Sequence, residues 1–136
     1  MKNAFTLLEL LSVIIIISII ALITTPIIIN VIKDARLEAF KDSAYALIDA
    51  SREYRVNAIS SGDTRILDIN YTQGTNTDKL SVQGKLPDGG NLKMNDDGDI
   101  AIALWSDSSE VCLVKDYDSN TIQISTTMKT KDSCKL

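Results

Sequence analysis

The sequence predicts an α+β protein. One long N-terminal α-helix, apolar in its first half and amphipathic in its second, packs against a small antiparallel β-meander. Three observations predict it. From Leu10 to Ile32 the chain carries no charged residue at all. From Lys33 to about Ser60, apolar residues recur at steps of three and four. Beyond Gly62 the pattern changes to short segments separated by turns rich in Asn, Asp and Gly.

The first half of the helix lies in FTLLELLSVIIIISIIALITTPIIINVI. Leu10–Ile32 meets the roughly 20 residues that a bilayer core requires. Glu9 stands at the head of this run, and a carboxylate at the centre of a membrane helix costs about 2.5–3.5 kcal/mol. It therefore needs a partner. Three readings compete. A cleaved secretory signal needs a short apolar region of about 7–15 residues and a small-residue cleavage site. Here the run is longer, and its far end, TTPIIINVIKDAR, is a poor site. A simple transmembrane anchor fits the length. The third reading is an anchor whose residues before Phe5 are removed. Cutting Ala4–Phe5 would leave a free amine on Phe5, a positive charge that Glu9 could meet. Of the three, only this one gives Glu9 a partner. Pro26 interrupts the run. Proline removes a helix hydrogen bond and collides with the preceding turn, so a kink or a locally opened stretch is expected there. A tolerated transmembrane kink is the plain alternative. Thr24 and Thr25 are placed to hydrogen-bond freed carbonyls.

The second half reads KDARLEAFKDSAYALIDASREYRVNAIS. Leu37, Phe40, Ala44, Leu47, Ile48, Ala58 and Ile59 mark one face, with charged residues elsewhere. Frequent alanine suits a helix, and Ser60, Ser61 and Gly62 supply a stop. One helix from about Phe5 to about Ser60 is implied. At about 1.5 Å per residue it would reach roughly 80 Å.

The remainder is expected to form the sheet. Arg65–Thr72 alternates, with Ile66, Asp68, Asn70 and Thr72 on one face. Leu80–Val82 is a short extended piece and Pro87–Asn91 a turn. Strands are expected at Asn91–Asn95, Asp99–Trp105, Val111–Tyr117 and Thr121–Thr127, with turns at Asn95–Gly98, Ser106–Ser109 and Asp118–Asn120. Short connections of this composition argue a meander. Its apolar face needs cover, and the amphipathic helix half is the sizeable surface available. The head past the helix is roughly 75 residues, a size that usually needs a staple. Cys112 and Cys134 suit that part. The anchor would place them across a membrane, where disulfides persist, and closing the loop would contribute on the order of 3 kcal/mol. Two unrelated free thiols are the rival reading.

Composition excludes several functions. There are 14 basic and 18 acidic residues. One of each precedes Lys33, so the rest of the chain keeps the net charge of −4. A mildly acidic domain lacks the electrostatic footprint of a nucleic-acid binder, and no nucleic-acid partner is expected. With no histidine and two cysteines, a Cys–His or Ser–His catalytic pair is ruled out, and a His/Cys metal site nearly so. NDDGD at Asn95–Asp99 invites a calcium reading. Counting back from Gly98, however, places Lys93 at the first ligand position, so a hairpin turn is the better reading. KDYDSN at Lys115–Asn120 is read the same way. Trp105 ends a strand and is read as core. Neither catalytic residues nor a metal or other cofactor is expected, and the chain is read as not an enzyme.

KNAFTLLELLSVIIIISIIALITTPIIINVIK resembles the class III signal and N-terminal helix of type IV pilins and pseudopilins over about the first thirty to forty residues. The residues that carry it are a short basic leader, a small residue, Phe5, Thr6, Glu9 and the apolar stretch to Pro26. Ala4 stands where the family usually has glycine, and the family's helix-weakening glycine between Glu9 and Pro26 is absent. The head matches only in its plan of helix, loop and meander with a C-terminal cysteine pair. The resemblance implies a type IV pilin-like fold with a leader at 1–4, a transmembrane and filament-core helix at 5–32, an amphipathic half at 33–60 and a β-rich head at 61–136. It also implies that a prepilin peptidase cuts Ala4–Phe5 and methylates the Phe5 amine. Glu9 would then pair with the Phe5 amine of a neighbouring subunit, and helices would open near Pro26. The implied function is that of a structural subunit of a surface filament for adhesion, motility or biofilm. Other pilin subunits, an assembly ATPase and a platform protein would be its partners. Before assembly it would sit in the cytoplasmic membrane as a single pass with its head outside, and afterwards in the extracellular pilus. A pseudopilin of a type II secretion or DNA-uptake system, and an uncleaved membrane-anchored extracytoplasmic protein, are the alternatives.

Overall fold

A computed structural model describes residues 5–63 and 66–136. Helix α1 spans Leu7–Ser60, followed by β1 (Asp68–Asn70), β2 (Gly89–Met94), β3 (Ile100–Ser106), β4 (Val111–Lys115) and β5 (Gln123–Ile124). The strands form one antiparallel sheet in chain order, a five-stranded meander. The α+β class expected from the sequence is the class found. The chain divides between Ala35 and Arg36 into two compact units.

In the first unit, every described residue is exposed. Its stretch of α1 is long and apolar enough to cross a membrane. α1 is helical on both sides of Pro26 and at Pro26 itself.

The second unit is built on the amphipathic half of α1. Phe40, Ala44, Leu47 and Ile48 are buried, with Leu37 partly covered beside them. They pack with Leu67, Ile69, Leu80, Leu92, Met94, Ile100, Ile102, Leu104 and Leu113 in one apolar cluster. This follows the 3–4 spacing of the helix and the two-residue period of the strands. Ser51 joins the buried stripe because its Oγ donates to the Leu47 carbonyl at 2.7 Å, leaving no orphaned donor. The stripe ends sooner than the spacing implied. Ile59 is exposed and borders an open cleft with Arg55, Ile66 and Met94.

Both faces of the sheet are covered around β3, all seven of whose residues are buried. Ile100, Ile102 and Leu104 belong to the helix-side cluster. Ala103 and Trp105 point the other way, into a second cluster with Cys112, Cys134, Val114 and Met128. The C-terminal tail supplies this second cover. Cys112 and Cys134 form a disulfide with Cα atoms 5.7 Å apart. Leu136 N donates to the buried Asn91 Oδ1 at 2.9 Å. Trp105 lies in the core as expected, its indole N–H donating to Asp107 Oδ1 at 2.7 Å.

The strand boundaries differ from expectation. The expected turn at Pro87–Asn91 gives its last three residues, Gly89, Gly90 and Asn91, to β2. Gly90 explains this. It has φ +94°, and a Cβ there would sit 1.9 Å from the Ala103 carbonyl oxygen, so glycine here marks a close strand approach rather than a loop. Leu80–Val82, expected as a short extended piece, stays outside the sheet, with Leu80 buried in the core. Of the expected Arg65–Thr72, Arg65 lies outside the described residues, and β1 takes Asp68–Asn70; it ends there because the chain turns back after Asn70, whose N–H and C=O pair with Thr75. β4 ends at Lys115 and β5 is two residues long, since side-chain bonds from Ser119, Ser125 and Ser133 take over from the ladder in the tail.

Asn95–Asp99 is the hairpin turn expected. Asn95 N donates to Asp99 O at 3.0 Å, Asp99 N donates to Asn95 Oδ1 at 2.7 Å, and Gly98 takes φ +97°. Arg55 reaches across from α1 and donates to the Asn95 carbonyl at 2.9 Å and to the Asp96 carbonyl. Lys115 is buried at the far end of β4, donating to the Ile100 carbonyl at 2.6 Å and the Asp116 carbonyl at 3.1 Å. Desolvation, reinforced by the charge of Arg52, holds its ammonium below the ordinary lysine value against the opposing pull of Asp99 and Asp116.

Candidate functional site

Of the residues singled out at the N-terminus, Phe5 lies just before α1 and Glu9 in its first turn. Thr6 is the N-cap. Its Oγ1 accepts the Glu9 amide at 3.3 Å, while its own N–H and Oγ1–H both donate to Glu9 Oε2 at 2.9 Å. This is a capping box, in which an N-cap threonine and an acid three residues on satisfy each other's backbone amides. It corrects one expectation. Glu9 has a partner within its own chain, and does not depend on a cut at Ala4–Phe5 to find one. The sequence carries the signal as T-x-x-E at the head of an apolar run, and the capping role of Thr6 is what the reading of its motif leaves out.

The box satisfies hydrogen bonds without cancelling charge. Thr6 contributes neutral donors, and the helix N-terminus a partial positive charge of about half a unit. The carboxylate keeps its full charge, and only Oε2 takes part in these bonds. Folding the side chain back places it beside Thr6 N, one residue from Phe5. Phe5 itself is exposed. Ala4, the other side of the expected cleavage bond, lies outside the described residues.

The polar side chains inside the apolar run are also satisfied locally. Ser12 Oγ donates to the Glu9 carbonyl at 2.9 Å and Ser18 Oγ to the Ile14 carbonyl at 2.6 Å. Thr24 Oγ1 donates to the Ile20 carbonyl at 3.0 Å, and Thr25 Oγ1 to the Ala21 carbonyl at 2.6 Å. Pro26 lacks the N–H that would reach the Leu22 carbonyl. The two threonines therefore do not take up the carbonyl that proline frees, as the sequence suggested. They back-bond one turn earlier, which hides their hydroxyls from an apolar solvent.

The structure thus brings Thr6 and Glu9 together beside Phe5. It places Pro26 farther along the same helix, and Cys112 and Cys134 together in the head. Among the described residues, no group of three or more Cys, Asp or Glu could hold a metal ion. The chain matches no protein-family model, no curated protein and no solved structure.

Proposed function

We propose that the chain is a structural subunit of a type IV pilus. On this reading a prepilin peptidase cuts it between Ala4 and Phe5, and its apolar helix carries it into a helical homopolymer. The observation that carries the reading is the placement of Glu9. It is the one acid before Lys33, folded back by Thr6 to the N-terminal end of a stretch of α1 that is exposed and, from Leu10 to Ile32, uncharged. A buried carboxylate without a countercharge is costly, and pairing it with an amine that belongs to another subunit makes assembly depend on register. A freed and methylated Phe5 amine is such a charge. The apolar stretch to Ile32 would hold the subunit in the cytoplasmic membrane with its head outside, and then bundle with its copies in the filament core. An assembly ATPase and a platform protein would drive the transfer. No catalytic role is assigned to any residue.

Two substitutions separate this role from capping alone. Glu9→Gln keeps an oxygen to accept the Thr6 N–H but carries no charge; Glu9→Ala removes both. Each should leave membrane insertion intact and abolish filaments seen by electron microscopy of cells. Normal filaments with Glu9→Gln would reduce Glu9 to a helix cap and contradict the proposal.

A further inference from the structure

Asn70 carries a feature that the assembly role does not use. The chain has eight asparagines, and only Asn70 is followed two residues later by a hydroxyl residue, in Asn70-Tyr71-Thr72. This is the acceptor pattern for N-linked glycosylation, which belongs on surface segments of exported proteins. Asn70 lies in such a place. It is the last residue of β1, an edge strand whose one sheet neighbour is β2. The chain reverses immediately after it through Tyr71–Gly74 and returns at Thr75.

The side-chain geometry leaves the acceptor atom available. Asn70 Oδ1 accepts the Gln73 amide at 3.0 Å in an Asx-type turn. None of the described hydrogen bonds uses Nδ2. A glycosylated asparagine retains its carbonyl oxygen and one amide hydrogen, so the turn can persist after modification. Asn70 also borders an open groove with Thr72, Gln73, Lys131 and Lys135, where a saccharide has room. Asp68, two residues before it on the same strand face, is exposed and pairs with Lys93 Nζ at 3.6 Å. Thr72 is engaged in the folded head, its Oγ1 accepting the Gly90 amide at 2.8 Å. The hydroxyl is therefore free to assist the acceptor amide only before β1 settles onto β2.

We propose that Asn70 is an N-glycosylation acceptor, modified as the head emerges across the membrane and before it folds. The donor is a saccharide carried on a polyprenyl pyrophosphate, transferred by a membrane oligosaccharyltransferase. The bond from Asn70 Nδ2 to the anomeric carbon forms, the bond from that carbon to the pyrophosphate oxygen breaks, and the amide proton leaves with the released pyrophosphate. The inference rests on the exported head of the pilus reading.

Mass spectrometry of tryptic peptides from the full protein, taken from its own cells, tests both. The peptide Ile66–Lys79 should carry a saccharide mass on Asn70. That mass should be lost completely in Asn70→Gln and Thr72→Val and retained in Thr72→Ser, which keeps both the hydroxyl and the Gly90 bond. Wild-type protein with only unmodified Asn70 overturns the inference. If its N-terminal peptide then starts at methylated Phe5, the pilus reading stands alone. A saccharide on Asn70 beside an uncut N-terminus supports glycosylation and removes the pilus reading.

Discussion

Asp88 ties two segments of the head together with one carboxyl group. It accepts Lys85 Nζ at 3.0 Å and the Asp107 amide at 2.9 Å. Burial pushes its pKa up, but the Lys85 hydrogen bond, the Asp107 amide and the charges of Lys85 and Lys131 together outweigh it and hold the carboxyl below the usual 3.8. A folded-state pKa below the unfolded value gives stability that is present above about pH 4 and lost as pH falls through the folded value. Urea unfolding followed by Trp105 fluorescence should show this acid loss, and Asp88→Asn should flatten it. An unchanged acid slope in the variant would contradict the assignment. At this scale the sequence is legible only where spacing is the signal. Thr6 and Glu9 satisfy a known interval, so their bond is legible in the sequence. That of Asp88 is not, because its partner Asp107 reaches it only through the pairing of β2 with β3.

The hairpin of β2 and β3 shows the same limit for elements. Their alternation and the Asn95–Gly98 turn are visible in the sequence, and the register from Gly89↔Trp105 to Met94↔Ile100 follows from that turn. Gly89 and Gly90 read as a loop because glycine and aspartate usually punctuate strands. The reason they do not here lies in Ala103, a neighbour in space and not in sequence. Gly90→Ala would force a methyl group into the Ala103 carbonyl, against backbone that cannot move cheaply. The expected loss is at least about 2–3 kcal/mol, in the upper range for single substitutions, read as a lower urea midpoint. A midpoint within error of wild type would show that the strands can part without cost. For α1, periodicity placed the helix to within two residues at its start and correctly at Ser60. It overran only the buried stripe, because a helical face continues in sequence after the sheet that covers it has ended.

For the whole molecule, the sequence distinguishes an apolar helix that buries nothing of itself from a head that covers its own sheet. The cysteine pair implies a tail pinned against the sheet, and the disulfide bears that out; what the sequence does not reveal is which face the tail closes and with which residues. The stretch TTMKTKDSCKL has no apolar periodicity, and its cover depends on Met128, Cys134 and the docking of Leu136 onto Asn91. Replacing Cys112 and Cys134 with serine should therefore do two things. Stability should fall by about 3 kcal/mol, and the Leu136 amide should lose its protection from hydrogen exchange. Retained protection would mean that packing alone holds the tail. The head covers its own core, and the first stretch of α1 is long and apolar enough to cross a membrane. What joins these facts into a function is the charge on Glu9 and the cation proposed to meet it. The mass of the mature N-terminal peptide, from protein isolated from its own cell membranes or filaments, tests that link most directly. The account predicts a chain that begins at Phe5 with a methylated amine; a chain that still begins before Phe5 would contradict it.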